Sequence, residues 1–367
     1  MKLILSVEAL SPPLSGIGRY TWELASRMGQ LPGIEQVRYY RAGRWVADPA
    51  TLLSEVSSAH KHGFKFPRWA KDWYWRQAFR GEVFHGPNYF LPPDVENGVV
   101  TVHDLSVFKF PETHPMERVK EFDRLFQRTL DNVTHLITVS ETARQEVINY
   151  LGWPAEKITA IYNGVSTFFA PRTSEELMPI LSRHGLKYGS YLLCVSTIEP
   201  RKRIDALLDA YSRLPNTLQL AYPLVLVGDK GWRSESLHEM IDKGQRAGWL
   251  HYLGFIPEAD LPALYAGARM FAYPSIYEGF GLPVIEAMAS GVPVLTSDRS
   301  CLPEVSAGAA KLVNPDDIDA LTVGLEEGLI DLEWREKAIA LGLQVATRYD
   351  WAECMRQTAA VYEKVRK

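Results

Sequence analysis

The feature that most constrains this chain is a regular alternation of short apolar runs with segments of helical periodicity. In the first half, the apolar runs that read as strands are 3–7, 37–40, 83–85, 99–102, 136–139 and 158–161. After a break at 174–189 the pattern returns, with candidate strands at 191–196, 224–227, 252–255, 270–273, 292–296 and 311–313. Strands that alternate with helices favour parallel sheets. The sequence therefore predicts an α/β protein with two doubly wound domains.

The length of the chain agrees with two domains, because 367 residues exceed what one hydrophobic core usually serves. We expect a first domain over 1–170, a linker near 170–187 and a second domain over 187–350. The tail 351–367 is helical by its pattern, and periodicity does not assign it to a domain. In such folds, ligands bind outside the carboxyl ends of the strands.

Composition and charge exclude several classes of protein. The chain has 40 Lys and Arg against 44 Asp and Glu, so no overall positive field is available to hold a nucleic acid. The cysteines Cys194, Cys301 and Cys354 are far apart, which suits a reducing compartment such as the cytoplasm. The apolar run at the N-terminus is too short for a secretion signal, and no stretch of about 18 apolar residues is present.

Two sequence motifs offer groups that could bind phosphate. Gly16 and Gly18 lie between the first strand and the first helix, where backbone N–H groups can approach an anion. A dinucleotide fingerprint is not present, because Thr21 stands where it needs a third glycine. For Gly16 and Gly18, an ordinary tight turn without a phosphate is the alternative. Arg201 and Lys202 follow the strand 191–196, where two adjacent cations could neutralise a diphosphate.

Two further motifs carry an acid pair and a histidine. In EGFGLPVIE, Pro283 suits a first helical turn, so Glu278 belongs to a loop and Glu286 to the helix after it. These carboxylates could hold sugar or ribose hydroxyls, or they could serve only the electrostatics of the helix terminus. His103 ends the strand 99–102 and is a candidate for the site, although a lone histidine is more often structural. His85 is a weaker candidate of the same kind.

The segment EGFGLPVIE, followed by AMASGVPV, resembles the signature of the family 4 retaining glycosyltransferases. The resemblance extends over nearly the whole chain through GIGRY, VHD, YNGV, EPRK and GFIPEADLPALYAGA. It implies a GT-B fold, in which two Rossmann-like domains face a central cleft. The first would bind the acceptor and the second the nucleotide-sugar donor, and the C-terminal helix 351–367 would pack back on the first domain.

The resemblance also implies roles for single residues. Glu278 would bind hydroxyls of the donor sugar, Glu286 the ribose and Lys202 the diphosphate, while His103 would lie near the transferred sugar. The backbone of the glycine-rich loop would support sugar and phosphate through Gly279, Phe280, Gly281 and Leu282. In the first domain, Gly16 and Gly18 would border the phosphates. Many members have an arginine where this chain has Thr197, so Arg201 would supply the second catalytic cation.

Within the family, GIGRYT, HGPNYFLPP and EPRK resemble bacterial mannosyltransferases that build O-antigen or exopolysaccharide. This implies transfer of α-mannose from GDP-mannose to a lipid-linked saccharide, with no cofactor and no required metal. A GDP-6-deoxy sugar or a UDP-hexose is an alternative donor, and a sugar-nucleotide-binding subunit without turnover is an alternative of another class. A nicotinamide-dependent dehydrogenase is disfavoured by the missing third glycine. Asp317 and Asp319 read as the first turn of a helix rather than a metal site.

The segment 60–80 combines six basic residues and one acidic residue with seven aromatic residues. Such mixtures favour an anionic bilayer interface, where each cation adds about 1 kcal/mol. We therefore expect peripheral attachment to the inner face of the cytoplasmic membrane. A half-buried helix with a solvated face is the alternative.

Overall fold

The computed structural model describes residues 1–54, 67–93, 95–229 and 235–366. The chain divides into two compact units. The first contains Met1–Lys109, Pro115–Asn163 and Trp351–Lys367, and the second contains Phe110–His114 and Gly164–Asp350. The continuous part of the second unit thus begins at Gly164, earlier than the predicted boundary at 187. The linker predicted near 170–187 instead contains a helix, Ser174–Arg183, because Thr173 and Glu176 cap its first turn reciprocally.

The strands are β1 (Lys2–Ser6), β2 (Gln36–Arg41), β3 (Arg44–Val46), β4 (Val83–Gly86), β5 (Asn97–Val102), β6 (Val133–Thr138), β7 (Ile158–Ala160), β8 (Leu192–Val195), β9 (Leu224–Val227), β10 (Leu250–Gly254), β11 (Met270–Tyr273), β12 (Val294–Ser297) and β13 (Lys311–Val313). The α-helices are α1 (Gly16–Arg27), α2 (Arg68–Phe79), α3 (Ser106–Lys109), α4 (Met116–Leu130), α5 (Glu141–Leu151), α6 (Ser174–Arg183), α7 (Ile204–Ser212), α8 (Asn216–Ala221), α9 (Glu235–Ala247), α10 (Leu261–Ala266), α11 (Leu282–Ala289), α12 (Leu302–Ser306), α13 (Ile318–Ile330), α14 (Leu332–Ala346) and α15 (Trp351–Val365).

In the described part of the chain, the sheet of the first unit has the order β3-β2-β1-β4-β5-β6-β7. Its neighbours are parallel, as the alternation of elements predicts, except that β3 pairs antiparallel with β2. The connection is a two-residue turn in which Ala42 and Gly43 have φ of 45° and 74°. Positive φ at both positions suits a tight hairpin. The prediction of a parallel sheet missed β3, because alanine at positive φ gives no turn signal and the strand is short.

The C-terminal helix belongs to the first unit, which confirms the expected return of 351–367. Its buried residues Trp351, Met355 and Tyr362 join one apolar core with Leu3 and Leu5 of β1. Since β1 is an interior strand of the sheet, the C-terminal helix α15 covers the apolar core of the first unit.

The second unit has a sheet in the order β10-β9-β8-β11-β12-β13, and each pairing among its described residues is parallel. Strands such as β9 are apolar throughout and fully buried, because helices cover both faces of a parallel sheet. The predicted helix that follows β8 is α7, and its buried face packs on this sheet. The strands β8 and β11 are neighbours, so the loops at their carboxyl ends are also neighbours.

Candidate active site

The loops after β8 and β11 bring together three of the candidate residues. Arg201 and Lys202 lie in a short 3-10 turn between β8 and α7, and Glu278 lies in the loop between β11 and α11. The sequence places Glu278 more than seventy positions from both cations, yet the side chains are in contact because their strands are adjacent.

Lys202, Glu278 and Tyr273 form a buried triangle of polar groups. The Lys202 Nζ donates to Glu278 Oε1 at 2.5 Å and to the Tyr273 hydroxyl at 2.9 Å. The Tyr273 hydroxyl in turn donates to Glu278 Oε1 at 2.9 Å. Burial raises the pKa of Tyr273 well above its usual value and the charge of Glu278 adds to this, so the hydroxyl keeps its proton.

Glu278 is ionised despite its burial. Burial alone would raise its pKa, but the positive charges of Lys202 and then Arg201 outweigh that effect and lower the pKa to about 2. The carboxylate is therefore a fixed negative charge and a hydrogen-bond acceptor at any physiological pH.

Arg201 is held by acceptors of the protein itself. Its Nη1 donates to the Tyr277 carbonyl at 2.5 Å and lies 3.5 Å from Glu278 Oε2. Its Nη2 donates to Glu199 Oε1 at 2.7 Å. The guanidinium thus joins the turn after β8 to the loop after β11.

The backbone of Glu278 is fixed by the loop that follows β12. The Ser300 hydroxyl donates to the Glu278 carbonyl at 2.6 Å, and the Cys301 thiol reaches the same oxygen at 3.2 Å. Ser300 has a φ of 55°, an uncommon conformation for a residue other than glycine. These contacts position the backbone from which the Glu278 side chain reaches Lys202.

The remaining candidates of the second unit line the start of α11. Gly281 has a φ of 85°, a backbone conformation that strains other residues, and a Cβ there would lie 2.7 Å from the end of the Leu302 side chain, so glycine is favoured. Gly279 precedes Phe280, which is buried, and Leu282 is the first residue of the helix. Glu286 is buried within α11, which confirms its predicted place inside the helix.

The candidates of the first unit are His103 and two glycines. His103 follows β5, and its Nε2 lies 2.7 Å from the Pro87 carbonyl, which can only accept. The proton is therefore on Nε2, and Nδ1 is left as an acceptor. Burial lowers the pKa of His103, so the ring is neutral near pH 7.

The glycine loop before α1 has a clear structural role. The Gly18 N–H donates to the N-cap Ser15 hydroxyl at 3.1 Å, and a Cβ on Gly18 would lie 3.0 Å from the Ala9 carbonyl. Gly16 is the first residue of α1. His85 is fully buried, and its ring nitrogens contact Tyr362 and Thr101 at 2.6 and 2.8 Å, as in a core histidine.

Sequence reasoning missed Glu199, Tyr273 and Ser300 as parts of this cluster. Glu199 stands beside two cations in EPRK, and Tyr273 is a polar end to an apolar strand, so each gave a weak signal. Ser300 gave none. Asp317 is the N-cap of α13, as expected, and accepts from the Ala320 N–H at 2.9 Å. Within the described ranges, no group of three His, Cys, Asp or Glu side chains is arranged to hold a metal ion.

In the part of the chain that the structure describes, no helix combines the length and the apolar character that crossing a bilayer requires. The predicted membrane segment 60–80 is only partly described, since Lys61 and Lys65 lie outside the described residues. Within α2, Trp69 and Trp73 are 74% and 63% exposed, whereas Trp75 stacks on Phe79.

Both units are Rossmann-like, with a mostly parallel sheet in the first and a parallel sheet in the second, and the buried Lys202–Glu278 pair lies at the strand ends of the second unit. The family model "Glycosyl transferases group 1" matches residues 184–342, and "Glycosyltransferase Family 4" matches 14–168. The chain therefore belongs to the glycosyltransferases that carry both of these domains.

The similarity extends to whole relatives. The O-antigen chain mannosyltransferase B of Escherichia coli is 38% identical over 99% of this chain and 100% of its own length. The crystal structure of WaaG, a glycosyltransferase involved in lipopolysaccharide biosynthesis, matches with a TM-score of 0.74 at 17% identity and covers 99% of both chains. The structure of Anabaena Alr3699/HepE in complex with UDP matches with a TM-score of 0.74 at 19% identity, over 99% of this chain and 100% of that one. These structures confirm the predicted fold.

Proposed function

We propose that this protein transfers an α-mannosyl residue from GDP-mannose to a lipid-linked saccharide during synthesis of O-antigen or exopolysaccharide. The identity of 38% with an O-antigen chain mannosyltransferase over the full length of both chains supports the sugar and the pathway. The observation that carries the chemistry is the buried ion pair of Lys202 and Glu278 at the carboxyl ends of β8 and β11.

In the proposed reaction, Lys202 neutralises the diphosphate as it leaves, which is the main source of transition-state stabilisation. The Glu278 carboxylate accepts hydrogen bonds from hydroxyls of the donor sugar, and Glu286 accepts from the ribose. Backbone N–H groups at the start of α11 support the phosphates. The acceptor attacks on the face that the diphosphate leaves, the departing phosphate takes its proton, and the configuration is retained. No metal and no cofactor takes part.

His103 contributes an acceptor rather than a charge. With its proton held on Nε2 by the Pro87 carbonyl, Nδ1 can accept a hydrogen bond from a sugar hydroxyl. The family resemblance implies that His103 lies near the transferred sugar, and there a neutral ring adds no positive charge to oppose the oxocarbenium-like transition state.

Groups that suit a saccharide acceptor lie together at one edge of the first unit. Glu8, Asn88 and Phe90 border a shallow hollow at the carboxyl ends of β1 and β4, whose cavity volume is only about 20 Å³, so a saccharide would lie across this surface. A carboxylate, an amide and an aromatic ring are groups that suit sugar hydroxyls and the apolar face of a pyranose. Parallel sheets bind ligands at this edge.

The lipid part of the acceptor suits attachment to an anionic membrane through α2. Trp69 and Trp73 are one helical turn apart and exposed, and Lys71 and Arg76 on the same helix are exposed cations. Replacing Lys71 and Arg76 by glutamate should weaken sedimentation with vesicles of anionic phospholipid. The control has the same charge change at the exposed α9 residues Lys243 and Arg246, and equal sedimentation of both variants would contradict the membrane role.

The donor is tested by calorimetric titration of the protein with GDP, UDP, ADP and NADH, with and without EDTA. Selective binding of GDP that survives EDTA supports the proposal. NMR of the product then reports the anomer, and an inverted product would refute retention. Selective binding of UDP would instead favour a UDP-hexose donor, a candidate because the UDP complex of Alr3699/HepE has the same fold.

A further inference from the structure

The turn that carries the two cations is built around a buried carboxylate that the proposed reaction leaves without a role. Glu199 is 4% exposed. Its Oε1 accepts from Arg201 Nη2 at 2.7 Å, and its backbone carbonyl accepts from the Lys202 N–H at 3.0 Å. Glu199 therefore contacts both cations, one through its side chain and one through its backbone.

Arg201 acts as a brace between two loops. Its guanidinium spans Glu199 on one side and the Tyr277 carbonyl with Glu278 on the other. Its own carbonyl accepts from the Ile276 N–H at 3.0 Å. A planar, fixed fork of donors suits this role, and three of its directions are committed to protein acceptors. The loop that carries Glu278 is thus tied to the turn that carries Lys202.

The distances show how the charges are shared. Arg201 is 2.7 Å from Glu199 but 3.5 Å from Glu278, whereas Lys202 is 2.5 Å from Glu278. Each cation has one close carboxylate, and the four charges sum to zero. Without the charge on Glu199, Arg201 would attract Glu278 more strongly, and the Glu278 carboxylate would move away from Lys202.

We propose that Glu199 is a positioning residue that holds Arg201 as a brace and so keeps the Glu278 carboxylate where it meets the donor sugar. Arg201 is then also a positioning residue, and Lys202 is the cation that binds the diphosphate. The inference rests on the proposed function, because it assigns to Glu199 an effect on the sugar contact of Glu278.

The test separates binding of the nucleotide from transfer of the sugar. The variants are Glu199→Gln, which removes the charge and keeps the shape, and Arg201→Lys, which keeps the charge and removes the fork. For each, calorimetry gives the Kd of whichever of GDP, UDP and ADP the wild type binds best, and a transfer assay with the matching nucleotide-sugar gives kcat and KM. Glu239→Gln, an exposed acid on α9, is the matched control.

We expect both variants to bind the nucleoside diphosphate within about threefold of the wild type and to lose at least about tenfold in kcat/KM for the nucleotide-sugar. The double variant should be no worse than Arg201→Lys alone, because both changes remove one brace. Retained nucleotide binding also reports that the second unit is folded.

Two results would overturn the inference. If Arg201 binds the diphosphate itself, Arg201→Lys would weaken nucleotide binding by more than about tenfold, and Glu199→Gln would tighten it by releasing a positive charge. Wild-type transfer kinetics in Glu199→Gln would also refute the role. Preference for UDP over GDP would change the proposed donor and leave this inference standing, so the two failures are distinguishable.

Discussion

Replacing Glu278 by glutamine gives the most direct measure of how strongly the cluster holds its charge. Glutamine keeps the size of the side chain and removes the negative charge. The pKa of Glu278 is lowered from 4.5 to about 2, because Lys202 and Arg201 outweigh the penalty of burial. At about 1.4 kcal/mol for each pKa unit, the ionised form stabilises the folded protein by about 3 kcal/mol relative to the neutral form. We expect Glu278→Gln to lose about that much free energy of unfolding at pH 7.5.

The sign of the pH dependence gives a second check. Because the folded pKa lies below the unfolded one, this stabilisation is complete above pH 4.5 and is lost as the pH falls towards 2. Urea unfolding followed by circular dichroism at pH 7.5 and pH 3.5 should therefore show a gap between wild type and variant that narrows in acid. Glu239→Gln should change stability by less than about 0.5 kcal/mol at both pH values. Equal stability of Glu278→Gln and wild type at pH 7.5, or a gap that stays constant, would refute the reasoning.

Three further predictions concern other residues. Lys202→Ala should abolish turnover by removing the charge that neutralises the diphosphate, and near-wild-type transfer in a kinetic assay would contradict this. Glu286→Ala should weaken GDP binding about tenfold or more, since a hydrogen bond to a charged group contributes roughly 1.5–3 kcal/mol, and an unaltered calorimetric Kd would count against its ribose role. Burial lowers the pKa of His85 from 6.5 to about 3, so the first unit should lose about 1.4 kcal/mol from this residue between pH 7.5 and pH 5.5. Urea unfolding at the two pH values should show a loss of at least this size, because burial also lowers the pKa values of His103 and His135, and stability that does not fall at pH 5.5 would refute it.

The fold could be predicted from the sequence because most of its strands are buried on both faces of the sheet. Runs such as Leu224–Val227 are wholly apolar and flanked by loops, which is typical of a parallel sheet covered by helices. The exceptions were elements without that signal. The strand Arg44–Val46 has three residues and lies at a sheet edge, and the helix Ser174–Arg183 begins at a capping box within a stretch that reads as a break.

The sequence predicted only those features of the site that follow from the arrangement of the strands. The prediction of doubly wound domains with these motifs at strand ends places Lys202 and Glu278 at the same sheet edge, and the strand order of the structure makes them neighbours. The choice of partners within the cluster depends on contacts between groups more than seventy residues apart, as with the Arg201 side chain and the Tyr277 carbonyl. Spacing along a chain carries no information on such contacts, so Tyr273 had no assigned role, although its hydroxyl contacts Lys202.

Stability alone does not explain why four charges are buried together. Replacing a buried ion pair by apolar side chains is often neutral or stabilising, because removing charges from water costs nearly as much as their attraction returns. In the proposed function the cluster has another use: Lys202 exchanges one anionic partner, Glu278, for another, the diphosphate.

That exchange predicts opposite effects of Glu278→Gln on two measured quantities. A nucleoside diphosphate without sugar must compete with Glu278 for Lys202 and gains nothing from the carboxylate, so the variant should bind GDP at least as tightly as the wild type. Transfer of the sugar should fall, because the neutral glutamine side chain would accept hydrogen bonds from the donor-sugar hydroxyls less strongly than the Glu278 carboxylate does. Calorimetry with GDP and a transfer assay on the same preparation decide the matter, and loss of GDP affinity in Glu278→Gln would show that the carboxylate and the phosphate do not compete for Lys202.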